Sequence, residues 1–180
     1  MTGLDHRVVL APDDGSLGPL LRIADDRLDP GAGYGRHEHR AVDVVAVVLS
    51  GSLYHQWDGD VPLAAGDVAV LRAGTGLDHD EVAGNDGARI LQSYLRSAEP
   101  SAPPRHEVHR GVSGWLDLDR PDARLWLARV VPGDSVPAGL LVLRGAERVL
   151  VAQQSGRVVE EAGLALVWQL DAGRPAWARD

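Results

Sequence analysis

Two short segments, His37-Glu38-His39 and Gly74-Thr75-Gly76-Leu77-Asp78-His79-Asp80-Glu81, hold the residues best suited to chemistry. Residues two apart in an extended strand project from one face, so His37 and His39 aim both imidazoles the same way. His79 and Glu81 repeat that spacing about forty residues later, as the two arms of facing strands would. Three neutral imidazoles and one carboxylate converging on a point make an N/N/N/O donor set for a single divalent transition metal: Fe, Mn, Ni, Cu or Zn. The spacing therefore predicts His37, His39, His79 and Glu81 as metal ligands.

Composition removes most other chemistry. There is no cysteine, which excludes disulfides, thiolate metal sites and a cysteine nucleophile. All 18 basic residues are arginine, which excludes a Schiff base and a lysine general base. No Ser-His-Asp order stands out, and Gly31-Ala32-Gly33-Tyr34-Gly35 reads as a turn entering the ligand strand rather than a phosphate cradle. A net charge of −8 without a basic cluster argues against direct nucleic-acid binding. The longest aliphatic run, Val44 to Leu49, is too short to span a bilayer. Met1 to His6 lacks the basic and apolar regions of a secretory signal, so a cytoplasmic location is expected.

The elements that must position these ligands read as strands. Leu20–Ala24, Val42–Leu49, Val61–Ala65, Val68–Leu71 and Ala88–Leu95 are short apolar or alternating runs. Turn signals separate them, among them Ser50-Gly51-Ser52 and Gly84-Asn85-Asp86-Gly87. Strands at this spacing, with no amphipathic helix between them, predict an all-β jelly roll or barrel. Glu99-Pro100-Ser101-Ala102-Pro103-Pro104 opens a proline-rich linker, because stacked prolines cannot join a central strand.

Beyond the linker the pattern returns. Arg129-Val130-Val131-Pro132-Gly133 echoes Arg27-Leu28-Asp29-Pro30-Gly31, and Val142-Leu143-Arg144-Gly145 echoes Val48-Leu49-Ser50-Gly51. Glu161 to Val167 echoes Ala64 to Val70, and all three offsets lie close to about one hundred residues, as a duplication gives. The expected domains are 1–98, metal-binding; 99–109, linker; and 110–180, a second copy without the site. Asp134 to Ala138 stands where the paired histidines would recur, and four of the five tryptophans, Trp115, Trp126, Trp168 and Trp177, lie after the linker as filling for a degenerate barrel.

The runs Gly31 to Arg40, Val48 to His55 and Gly66 to Glu81 resemble the pirin family, whose members are bicupins of the cupin superfamily with iron in the N-terminal barrel. Ala88 to Arg96, followed by Pro103-Pro104-Arg105-His106-Glu107, is similar to that family's strand and crossover after the site. The resemblance implies two tandem cupin-type jelly rolls, the C-terminal one degenerate, with His37, His39, His79 and Glu81 holding the metal, most simply iron. It also implies oxidoreductase activity of the quercetin 2,3-dioxygenase kind on a flavonol-like or other small aromatic enediol with O₂, Glu81 serving as catalytic base. Two alternatives stand beside it: an iron-binding redox regulator acting through a protein partner, and a metal-dependent isomerase or lyase. The chain departs from the pattern at Asp43, where cupins usually carry Glu, at Asp80, where pirins usually carry Ser, and in the shortened turn Trp57 to Asp60.

Other polar residues are read around that set. Asp43 is expected to support the ligands from behind, and Asp80 to add charge beside the metal. His55 is either such a support or an outward residue of Tyr54-His55-Gln56. Tyr34 and Tyr54 read as wall residues, with the pocket mouth as the alternative for each. His106 and His109 are expected on a solvated connection, and His6 on a mobile end.

Overall fold

A computed structural model describes residues 3–12, 14–146, 148–154 and 156–170. Every regular element among them is a strand, and the strands gather into two compact units. The first comprises Met1–Ala11 and Leu21–Gly111, the second Pro12–Leu20 and Val112–Asp180.

The first unit is assembled from β1 (Leu4–Leu10), β2 (Leu20–Leu28), β3 (His37–His39), β4 (Val42–Gln56), β5 (Asp60–Ala64), β6 (Val68–Arg72), β7 (Leu77–Arg96) and β8 (Arg105–His109). The sheet order is β1-β2-β7-β4-β6-β8, with β3 on β7 and β5 on β4. β-branched and aliphatic residues supply the inward positions: Val48, Leu53, Leu63, Ala69 and Ile90 form one buried cluster, Val44, Leu71 and Leu77 another.

β4 and β7 are far longer than an average strand, and both run through residues expected to be turns. Their ladder shifts register on both sides of Gly51, between Val48 and Ser50 and again between Gly51 and Leu53. Gly51 has φ 72°, and a Cβ there would meet the Gly87 carbonyl oxygen at 2.0 Å. Ser50-Gly51-Ser52 and Gly84 to Gly87 are thus an irregular, close-packed stretch inside a continued strand pair, not chain reversals. The ladder resumes beyond it and sets His55 opposite Glu81.

The linker expectation for 99–109 is corrected in its second half. After Pro103-Pro104 the chain re-enters the sheet as β8, paired with β6 from Arg72↔Arg105 to Val68↔His109. The prolines end one strand without ending the unit, because Arg105 onward again has donors for the ladder. The division between units falls after Gly111 rather than at the proline run, and residues 12–20 group with the second unit.

That second unit contains β9 (Gly114–Leu116), β10 (Ala123–Val130), β11 (Ser135–Val136), β12 (Gly139–Arg144), β13 (Val149–Gln154), β14 (Arg157–Val158) and β15 (Gly163–Leu170). Five form a sheet of order β13-β12-β15-β10-β9, and β11 pairs with β14. The echoed segments occupy matching places: β4 and β6 are antiparallel neighbours, as are β12 and β15. Val130, Leu141, Leu143 and Val167 form its core, Trp168 is buried and Trp126 half-buried against it. Trp177 lies outside the described residues.

Candidate metal centre

β3 is three residues long, yet its register sets the site. His37 pairs with His79 of β7, and His39 with Leu77. The period of two along β7 turns His79 and Glu81 inward, where both are buried, and leaves Asp78 exposed. Gly33 lets the preceding turn approach closely: it bridges to Val82, and a Cβ on it would stand 2.8 Å from the Glu81 carbonyl oxygen.

One ligand nitrogen from each of His37, His39 and His79 lies within 4.8 Å of the others, and the Nε2 atoms of His37 and His39 are 3.1 Å apart. With Nδ1 of His37 donating to the Gly35 carbonyl at 2.7 Å, its Nε2 lone pair faces the cluster. Both ring nitrogens of His79 are buried with no hydrogen-bond partner among the described residues. Leaving such a group unsatisfied costs about 1–3 kcal/mol, and a divalent cation is a partner that three converging lone pairs would accept. The donors present therefore fit a transition metal. Burial lowers His79 to about 4, and burial also lowers His39; neighbouring imidazoles push both the same way against Glu81. Both rings are thus neutral at pH 7, the form that ligates metal.

Glu81 stands beside this group rather than within its 4.8 Å limit. Its Oε1 pairs with His55 Nε2 at 2.5 Å, and its Oε2 accepts from Gln92 Nε2 at 2.9 Å. Burial pushes the carboxyl up, but the charge and hydrogen bond of His55, then His79 and Gln92, outweigh it and hold the group at about 2.

The structure decides between the two readings of His55: it is 2% exposed and faces inward. Its Nδ1 lies 3.0 Å from His106 Nε2, and the two rings stack at 4.8 Å. His106 is therefore not on a solvated connection; β8 carries it in beside β6, and burial lowers it to about 4. His6 is no mobile end. It sits on β1 opposite Asp26, with Nδ1 2.6 Å from the Asp26 carboxylate, whose other oxygen accepts from the Tyr34 hydroxyl at 2.6 Å.

Tyr34 is 6.2 Å from His37 ring to ring, a wall beside the cluster. Tyr54 is 40% exposed and faces away from the buried interior. Asp80 lies half-buried between the inward residues His79 and Glu81, and its Oδ1 accepts the Glu81 backbone N–H at 2.7 Å. Asp43 is buried on β4 in register with Arg72 and Leu95, and is not part of the imidazole group. Sequence reasoning missed Gln92, Tyr94 and His106. The first two are polar residues two apart inside the apolar run Ala88–Leu95, which was the available signal.

The family model for pirin matches residues 11–95. A Mycobacterium bovis protein with the provisional name quercetin 2,3-dioxygenase is 37% identical over 205 residues, covering 89% of this chain and 83% of that protein. The chain belongs to the pirin family. A further relative, the quercetin 2,3-dioxygenase of Escherichia coli, is 31% identical over 111 residues, 58% of this chain. That match takes in 48% of the relative, so the chain spans about half its length. The structure of a bacterial pirin from Escherichia coli in complex with nickel(II) superposes with a TM-score of 0.70 at 20% identity, over 95% of this chain and 93% of that one. At that identity the likeness establishes the shared bicupin fold of pirins.

Proposed function

We propose that the first unit is a mononuclear metal centre, taking Fe(II) by preference, of a dioxygenase of the quercetin 2,3-dioxygenase type that acts with O₂ on a flavonol-like enediol. The observation that carries this reading is the cluster of three imidazoles, with the orphaned His79 nitrogens at its middle. The names of the Escherichia coli and Mycobacterium bovis relatives support the substrate class. A metal held there would supply a Lewis acid for an enolate oxygen and electron transfer with O₂.

His37, His39 and His79 bind the ion, and the Gly35 carbonyl orients His37. Glu81 is the fourth donor, an anion whose direction is set by His55 and Gln92. As a proton acceptor it is weak: a carboxylate held at about 2 takes a proton only from a strongly acidified hydroxyl. The half-buried wall of Tyr34 and Tyr94 beside the imidazoles limits water and presents flat surfaces to a ring.

Oxygen uptake by the iron-loaded protein with a flavonol panel tests the reading. Uptake that disappears on chelation and in His79→Ala is the expected result. In Glu81→Gln the metal should be largely retained while turnover falls by about 10²-fold or more. No oxygen uptake by iron-replete wild type across flavonols and catechols would end the dioxygenase reading.

A further inference from the structure

Half-burial and an aromatic contact distinguish Arg22 from the paired arginines of the first unit. Arg72, Arg89 and Arg110 each lie 2.5 Å from a carboxylate oxygen, of Glu107, Asp25 and Asp67 in turn. Arg22, half-buried on β2, has no carboxylate partner among the described residues; its guanidinium carbon lies 4.1 Å over the Tyr94 ring. Stacking occupies the face of a guanidinium and leaves most of its in-plane N–H donors for a planar anion.

Tyr94 is itself fixed. Its hydroxyl donates to Gln92 Oε1 at 2.8 Å, Gln92 donates on to Glu81, and the ring meets His39 edge-on at 5.8 Å. One tyrosine ring therefore separates Arg22 from His39, a span on the order of 10 Å or less. In a chain of net charge −8, an anionic ligand needs a local cation to offset the overall repulsion.

We infer that Arg22 is the anion-binding end of the site, and that the ligand is a hydroxylated aromatic ring bearing a carboxylate remote from its metal-binding oxygens. This rests on the metal-centre reading for the other end of the ligand. The carboxylate would take paired N–H donors from the guanidinium edge while the ring lies along Tyr94.

Calorimetry with 3,4-dihydroxybenzoate and catechol, on nickel-loaded and on metal-free protein, tests it. Loaded wild type should prefer the carboxylate-bearing ring by about tenfold or more, the usual worth of a charge-assisted hydrogen bond. Arg22→Met should weaken dihydroxybenzoate by roughly 10–100-fold and catechol by no more than about twofold, with Arg22→Lys recovering part. Equal affinities in wild type, or equal losses for both ligands in Arg22→Met, would overturn the inference and leave Arg22 as support for Tyr94. Failure of nickel uptake would instead remove the metal-centre reading. The metal-free arm still judges Arg22, since dihydroxybenzoate must bind wild type more tightly than Arg22→Met there, and no difference overturns it.

Discussion

The two units share strands, turns and an echoed sequence, yet all seven histidines lie before Gly111. In the first unit the short strand β3 lays His37 against His79. In the second, the short strand β11 falls in the segment corresponding to the paired histidines and lays Ser135 and Val136 against Val158 and Arg157. The interior of the second unit goes to Val130, Leu141, Leu143, Val167 and Trp168. An opening of about 410 Å³ there is walled by Leu140, Trp168, Gln169 and their neighbours, without a titratable side chain among its lining residues. Inward positions of a jelly roll can thus be committed to polar chemistry or to packing, and the backbone does not choose between them. The first unit bears the cost of burying Glu81, His55 and His79; contacts with His55 and Gln92 offset it at Glu81, while the His79 ring nitrogens have no partner among the described residues.

That contrast can be broken most directly at one residue from each side. His79→Ala should weaken nickel binding by more than about 100-fold in a direct titration, beyond what loss of an outer partner costs. Trp168→Ala should leave nickel binding unchanged. If both variants, or His109→Ala, lost the metal equally, the cluster would not be the centre.

The packing side has its own test. Trp168→Ala should destabilise by about 3–5 kcal/mol, read as a lowered midpoint in denaturant, because the indole fills an interior that the sheet cannot close over. His79→Ala should cost the metal-free protein far less, since it removes an unsatisfied ring.

Acid should separate the units next. His79 and His106 are lowered to about 4 from an ordinary 6.5, so between those values the unfolded chain binds more protons than the folded one. Stability consequently rises with pH across that window and is lost as pH falls from about 6.5 to 4. Glu81, held at about 2 from 4.5, extends the loss below pH 4.5. Hydrogen exchange followed from pH 7 to 4 should show opening of β3, β4 and β7 before β10, β12 and β15, and saturating nickel at pH 7 should slow exchange in the first set only. Opening that begins in the second unit would contradict the assignment.

The smallest effect is expected at Asp80. Asp80→Ser should change nickel affinity by less than about twofold, because the carboxylate is engaged by a backbone N–H and its half-exposed charge is partly screened by water. A large gain would mean that the carboxylate reaches the site after all.

Sequence alone settled what is local. A two-residue spacing in an extended chain decides which side chains share a face, so the pairs His37/His39 and His79/Glu81 were legible from residue order. Short apolar runs with frequent turn residues also declared the all-β class, and the missing histidine pair in the second copy pointed to the first as the place for a site. Tertiary structure decided everything that depends on which strands meet. The β3–β7 register set His37 against His79, and the β4–β7 ladder, continuing past Gly51 and Gly87, brought His55 to Glu81. Residues that looked like turns there, and prolines that looked like a boundary before β8, hid both His55's inward face and His106's place beside it. Arg22 over Tyr94, and Gln92 on Glu81, join positions far apart along the chain. Such contacts come from hydrogen-bond partners and close approaches between distant segments, which no local periodicity encodes.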